Sequence, residues 1–259
     1  MKVCGLLSGG KDSNYAFYMA LREGAEVSCI VSAAPAREDS WMFHRPLVEF
    51  VKLQAEAMGF GDRYHTIGVS GVKESEVSEL REGLRKLKAM YGFDTITVGG
   101  IASRYQYERF RAIAEDLGVK VYDPQWGMDP EEYMKELVRK GVVFVISQIT
   151  TEGLDMRMLG VPVQELSQVE EILRLSRRYG FHPAFEGGEA ETFVVMAPHF
   201  KKGICLRASR EKIAEYQYVL SVSSAQLCDD VAISVDSEVY HVFRRRDELA
   251  STAFRSSSS

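Results

Sequence analysis

Residues 8–13, Ser8-Gly9-Gly10-Lys11-Asp12-Ser13, form a glycine-rich turn between the apolar run Val3-Cys4-Gly5-Leu6-Leu7 and an amphipathic stretch from Tyr15 to Leu21. A buried strand that turns through two glycines into a helix aims unpaired backbone N–H groups, and the positive end of the helix dipole, at one point in space. That point suits a phosphate. The plain alternative is an ordinary strand-to-helix turn with a solvated lysine. With Gly5, Gly10 and Lys11 in register the segment approaches a Walker A loop. However, Asp12 stands where the magnesium-binding Ser or Thr belongs and Gly5 falls inside the strand, so that reading is rejected.

Three more segments are too polar for their places. In Asp39-Ser40-Trp41-Met42-Phe43-His44, after the second strand-like run, the Trp, Met and Phe cluster suits the face of a purine, the alternative being that it closes the top of a core. His44 taken alone reads as a structural histidine. In residues 99–109, Gly99-Gly100-Ile101-Ala102-Ser103-Arg104-Tyr105-Gln106-Tyr107-Glu108-Arg109, two glycines allow close approach of a ligand and Ser103 can cap the helix that follows. Gln106 falls in the first turn of that helix's apolar stripe, and Arg109 flanks it, either gripping a phosphate or carboxylate through its fork or lying solvated. In residues 185–193, Glu186, Glu189 and Glu191 crowd three carboxylates into six positions around Gly187 and Gly188. Such crowding is relieved by a cation or a shared proton, or by water if the turn is merely solvated. The apolar flanks Phe185 and Phe193 favour a turn held against the protein body.

The elements that must position these segments alternate. Apolar runs at 3–7, 27–33, 64–69, 95–98, 119–122 and 142–149 read as strands, and helical patterns fall near 12–24, 46–59, 74–91, 104–118 and 130–141. Several strands are apolar throughout, as in a parallel sheet covered on both faces. Phe110, Ile113, Ala114 and Leu117 mark one buried helical stripe. The repetition predicts an α/β fold with a doubly wound parallel sheet that binds ligands outside the carboxyl ends of its strands. Past residue 150 the pattern changes to a helix at 165–179 and strands near 192–197, 203–209, 216–223 and 239–244. The expected organisation is a first domain over 1–149, a second, smaller α+β domain over 150–246, and a disordered serine-rich tail over 247–259.

Composition narrows the class. The chain has 259 residues, 46% hydrophobic and 27% charged, with a net charge of −5, which argues against a nucleic-acid partner. No signal peptide is read, and no apolar run approaches the about 18 residues of a membrane helix. A cytoplasmic enzyme is expected. The four cysteines, Cys4, Cys29, Cys205 and Cys228, lie far apart and are expected as reduced core thiols, with no CxxC pair to bind zinc.

Taken together the segments resemble the diphthine ammonia ligases, or diphthamide synthetases, of the short archaeal type, within the ATP pyrophosphatases. Residues 8–13 match the SGGKDS pyrophosphate loop, 40–44 the S-aromatic-MFH segment, and 99–109 the GI-x-S-x-YQ-x-x-R segment. Trp126 stands where that family has a Trp before an acidic-Pro helix start, here Asp129-Pro130, and 186–192 matches the EGGE-aromatic-ET signature. The likeness runs over about residues 1–200 in the same order. Two positions depart from it: Ala190 replaces a frequent aromatic and Met196 a frequent aspartate, which bears on the shape of the substrate pocket.

The resemblance implies a HUP-like PP-loop fold and ATP-dependent amidation of diphthine on elongation factor 2, with ammonium, through an acyl adenylate. ATP would bind at Ser8, Gly9, Gly10, Lys11, Asp12, Ser13, His44, Gly99 and Gly100, with Lys11 neutralising the leaving pyrophosphate and Asp12 holding Mg2+. Glu189 and Glu191 would take the proton of ammonium. Ser103, Tyr105, Gln106, Arg109, Trp126, Glu186 and Thr192 would meet the second substrate, an aromatic such as Trp126 or Tyr105 facing its trimethylammonium. No glutaminase domain is read, so free ammonium is the expected donor, and a homodimer is compatible with the sequence. The rivals are a tRNA-modifying adenylating enzyme, which needs a basic face and catalytic cysteines, and a nucleotide-binding sensor, which leaves residues 186–192 idle.

Overall fold

The computed structural model describes residues 1–35, 47–70, 75–100 and 104–243, and at 35 and 104–106 the backbone alone. Trp41, Met42, Phe43, His44, Ser103 and the serine-rich tail lie outside the described residues. The chain divides into two compact units, Met1–Gly127 and Met128–Ser259.

The first unit alternates strand and helix: β1 Lys2–Leu6, α1 Lys11–Arg22, β2 Glu26–Pro35, α2 Val51–Met58, β3 Tyr64–Val69, α3 Ser75–Tyr91, β4 Thr95–Thr97, α4 Arg104–Leu117 and β5 Lys120–Tyr122. All strand pairs are parallel, in the order β3-β2-β1-β4-β5. The chain winds outward from β1 through β2 to β3, then crosses to β4 on the other side. The winding therefore reverses at β1, and the crevice outside its carboxyl end is where such sheets bind ligands. Leu84 and Leu87 of α3 and Ile113, Ala114 and Leu117 of α4 pack on Val31, Ile67, Ile96 and Val98 of the sheet and its strand ends, bearing out the expected helical stripe. Burying each such large side chain contributes roughly 1.5–3 kcal/mol. Gly5 does lie inside β1, where a Cβ would come 2.6 Å from the Phe17 ring of α1; its job is close helix–strand contact.

The second unit holds α5 Pro130–Arg139, β6 Val143–Ile149, β7 Pro162–Val163, α6 Leu166–Tyr179, β8 Ala190–Met196, β9 Gly203–Ala214, β10 Gln217–Cys228, β11 Ala232–Val235 and β12 Glu238–His241. Its mixed sheet runs β12-β11-β9-β10-β6-β7, with β8 also paired to β6. α5 starts sharply because the Asp129 side chain accepts from the N–H groups of Glu131 and Glu132, with Pro130 at the first helical position.

Two expectations change. The alternation of strand and helix predicts that 142–149 belongs to the first domain, but β6 pairs antiparallel with β7, β8 and β10, and the second unit begins at Met128. An apolar run reports burial on both faces, which a mixed sheet provides as well as a parallel one. The cysteines are bridged, not reduced. Cys4 and Cys29 are register partners on β1 and β2 with Cα atoms 4.5 Å apart, and Cys205 joins Cys228 across β9 and β10 at 6.0 Å, both within bridging range.

Candidate functional site

Residues 7–13 leave β1 at the switch point and enter α1. Gly9 takes φ +88°, a left-handed value glycine adopts without strain, and Gly10 is the N-cap of α1 with no side-chain capping bond. The loop thus leads into the N-terminal end of α1, whose first-turn amides and dipole favour an anion, in the arrangement expected of a phosphate cradle. Ser8 and Ser13 tie the loop: Ser8 N–H donates to Ser13 Oγ at 3.1 Å, the two hydroxyls lie 3.2 Å apart, and Gly10 N–H reaches Ser8 Oγ at 3.4 Å. Lys11 is 2% exposed, and its Nζ lies 3.0 and 2.9 Å from the two carboxylate oxygens of Asp12. A solvated lysine is excluded. Asp12 supplies hard oxygens suited to magnesium, but a metal held mainly by substrate phosphates would share them with Lys11. Among the described residues no group of three His, Cys, Asp or Glu could hold a metal ion by itself.

Gly99 lies directly against this turn. A Cβ there would come 2.3 Å from both the Asp12 carbonyl carbon and the Ser13 nitrogen, so only glycine fits. Next to it, a Cβ on Gly100 would meet nothing closer than Asp123 Oδ2 at 3.9 Å. The carboxyl ends of β4 and β5 therefore both reach α1, and Gln125, fully buried after β5, donates from Nε2 to the Asp12 carbonyl at 3.1 Å. A cavity of about 160 Å³ lies beside the loop, lined by Leu6, Ser8, Ser13, Val31, Gly99 and Phe110 among others.

Trp126 is half-buried and stacks on Tyr107 of α4, with ring centroids 4.3 Å apart and planes at 17°, so one indole face is covered by the phenol. Arg109 is partly buried on α4, and Tyr105 and Gln106 lie on the same helix.

In the second unit the acidic turn has a defined architecture. The Glu189 carboxylate folds back on its own loop, accepting from His182 N–H through Oε1 and from Gly187 N–H through Oε2, each at 2.9 Å. A Cβ on Gly187 would come 2.6 Å from Glu189 Oε1 and displace that carboxylate from its bracing position, and Gly188 takes φ +83°, which favours glycine. His182 Nδ1 accepts from the N–H groups of Ala184 and Glu186, and Thr150 anchors the loop to the end of β6 through Gly188 and Glu189 carbonyls. Phe185, 5% exposed, is held at φ +64°, a costly value for a bulky residue that the surrounding bonds enforce. Glu191 is exposed on β8, opposite Gln148, and Thr192, next along the strand, faces the other side opposite Ile146. The glutamates thus differ: the Glu189 carboxylate braces the turn, Glu191 is exposed, and Glu186 joins the turn through its backbone N–H, which donates to the His182 ring.

Sequence reasoning passed over Asn14, Gln54, Asp123 and Gln125. The signal for Gln54 is plain afterwards: it stands on the buried stripe of α2 with Val51, Ala55 and Met58, where an apolar residue belongs.

Residues 1–121 match the family model described as diphthamide synthase N-terminal domain, and residues 129–227 the diphthamide synthase C-terminal domain. The chain is similar to the diphthine–ammonia ligase of Bos taurus, 30% identical over 226 residues that make up 81% of this chain and 84% of the bovine one. The Danio rerio protein of the same name is 31% identical over 82% of this chain and 89% of its own. The Schizosaccharomyces pombe one is 28% identical over 88% of this chain but 38% of its own length, so long and short forms both occur among eukaryotic relatives.

Proposed function

The chain belongs to the diphthine–ammonia ligase family, and from that premise we propose that it amidates diphthine on elongation factor 2, using ATP and ammonium and releasing AMP and pyrophosphate. The observation that carries this reading is the buried Lys11 at the uncapped N-terminus of α1, set at the switch point of the parallel sheet. A carboxylate oxygen of diphthine attacks the α-phosphorus, the bond to the β-phosphate oxygen breaks, and pyrophosphate leaves into the loop. Amides of the loop and of the first turn of α1 receive its charge, Ser8 and Ser13 fix the loop's width, and Lys11 neutralises the developing negative charge. Asp12 would hold magnesium, which when bound spreads the phosphate charge further. Ammonia then attacks the acyl carbon, a C–N bond forms, the C–O bond to AMP breaks, and a proton is lost from nitrogen.

For that proton we assign Glu191, the exposed carboxylate of β8, while Glu189 keeps the turn in shape. Trp126 would present the face turned away from Tyr107 to the trimethylammonium, a contact worth about 0.5–2 kcal/mol. Arg109, Gln106, Tyr105, Ser103, Thr192 and Glu186 are assigned to the second substrate and His44, Gly99 and Gly100 to ATP, as their segments imply. The reaction sits in the cytoplasm, where the translation factor is. Incubating the protein with diphthine-bearing elongation factor 2, ATP and ammonium is expected to give the mass change of exchanging hydroxyl for amino, with AMP and pyrophosphate. ADP and phosphate as the sole products would overturn it.

A further inference from the structure

We propose that Asn14 and Gln54 form a carboxamide latch that sets the direction of the pyrophosphate-binding peptides, making both positioning residues for ATP; the assignment rests on the ATP-dependent reading above. Gln54 Nε2 donates to the Gly9 carbonyl at 2.9 Å. Asn14 Nδ2 donates to the Gly10 carbonyl at 3.0 Å and to Gln54 Oε1 at 3.3 Å. Both side chains are fully buried.

The amide orientations are fixed by their partners. The Gly9 and Gly10 carbonyls can only accept, so each must face an NH2 group, and Gln54 is then left offering its oxygen to Asn14. A trans peptide points its C=O and the following N–H in opposite directions. Holding the Gly9 carbonyl inward therefore turns the Gly10 N–H outward, and holding the Gly10 carbonyl inward turns the Lys11 N–H outward. Ser13 Oγ and the Asn14 N–H, each 3.3 Å from the Gly10 oxygen, act in the same sense. On the outward side the Gly10 N–H makes a long 3.4 Å contact with Ser8 Oγ, which a charged phosphate oxygen would displace readily.

The latch has a cost that packing does not explain. Asn14 Oδ1 is buried without a hydrogen-bond partner among the described residues, and Gln54 occupies a position on α2 that Leu or Met would fill more favourably. Two glycines in sequence give the loop little preference of its own for one peptide orientation, since glycine visits both signs of φ. Without the latch the Gly9 peptide would be free to turn and the Gly10 peptide would keep only the Ser13 Oγ and Asn14 N–H contacts, so the outward amides would be aimed less well at the phosphate.

The test uses apolar near-isosteres, Gln54→Met and Asn14→Leu, which fully buried sites accept and which add no charge beside a phosphate. Each variant of the full chain is compared with wild type by calorimetric titration with pyrophosphate, by thermal melting, and by steady-state kinetics with each substrate in turn. Each is expected to weaken pyrophosphate binding and raise the KM for ATP by roughly tenfold to a hundredfold, the scale of one or two charge-assisted contacts. The KM for ammonium should stay put and kcat should change less. A merely structural role would lower the melting temperature or the active fraction, and so kcat, with KM for ATP unchanged, and that outcome overturns the latch. If Gln54→Met fails to fold, Asn14→Leu decides alone by the same measure. Wild-type protein that binds pyrophosphate in this latch-dependent way yet forms no amide overturns the amidation reading and leaves the latch standing.

Discussion

Lys11 and Glu189 show how a residue type acquires its job from what it touches. Lys11 spans from α1 to the Asp12 carboxylate with 2% of its surface exposed, so it is already desolvated where charge would develop. Lys11→Ala is expected to slow adenylation by about 10²–10³, read as pyrophosphate–ATP exchange, with most of the loss in the chemical step. Glu189 and Glu191 separate bracing from reaction. Glu189→Gln must set a carboxamide NH2 against a backbone N–H, at a cost of about 1–3 kcal/mol in a denaturant melt. Glu191→Gln, on the exposed side of β8, should change stability by within ~0.5 kcal/mol yet slow amidation. A Glu189→Gln protein that melts like wild type and fails only in amidation would return the base role to Glu189. His199 adds a pH response. Burial holds its pKa down to about 3, below the value near 6.5 of an exposed histidine, so the folded state binds fewer protons than the unfolded one. Its stability contribution is complete above about pH 6.5 and is lost progressively as pH falls toward 3. Urea midpoints should drop over that window, and His199→Phe, beside the Phe200 ring, should flatten the profile.

At the scale of elements, the glycine-rich loop at residues 8–13 was legible because what marks it is local: an apolar run, two glycines, a lysine and a helix within a single βα unit. The acidic turn was legible as a feature but not as a mechanism. Sequence presents three equal carboxylates, whereas the fold spends one of them on the His182 and Gly187 amides. Gln54 and Gln125 escaped notice because both reach the loop from 40 or more positions away, and only the winding of the sheet brings α2 and the end of β5 to α1. The glycines at 99 and 100 read alike in sequence but differ in structure. Gly99→Ala is expected to cost about 1–3 kcal/mol and to weaken ATP binding, since the new methyl meets backbone, not a movable side chain. Gly100→Ala, with its nearest neighbour at 3.9 Å, should melt and bind as wild type does. Equal behaviour of the two would show that the turn of α1 yields easily.

Across the whole molecule, the class of fold and the parallel sheet of the first unit followed from alternation and apolar runs, while the order of its strands and the allegiance of β6 did not, because pairing partners are chosen over long distances. The same reason hid the cystines: 25 residues separate Cys4 from Cys29, and only the parallel register of β1 and β2 makes them neighbours. By the chain-entropy model a crosslink over a loop of that size stabilises by about 3.5 kcal/mol. Thermal melting in a strong reductant is therefore expected at a lower temperature than in its absence, and Cys4→Ser should remove part of that difference.

The Cys4–Cys29 bridge also has a mechanical side. Tension applied at the two chain ends passes through the sulfur atoms and bypasses the segment between them, which contains the glycine-rich loop at residues 8–13 and the whole of α1. Pulled apart one molecule at a time, the oxidised protein should yield a contour shorter than the Cys4→Ser protein by roughly 85 Å, the length of the 25 residue steps from Cys4 to Cys29 at about 3.4 Å each. The nucleotide loop would be the part of the first unit that force cannot reach.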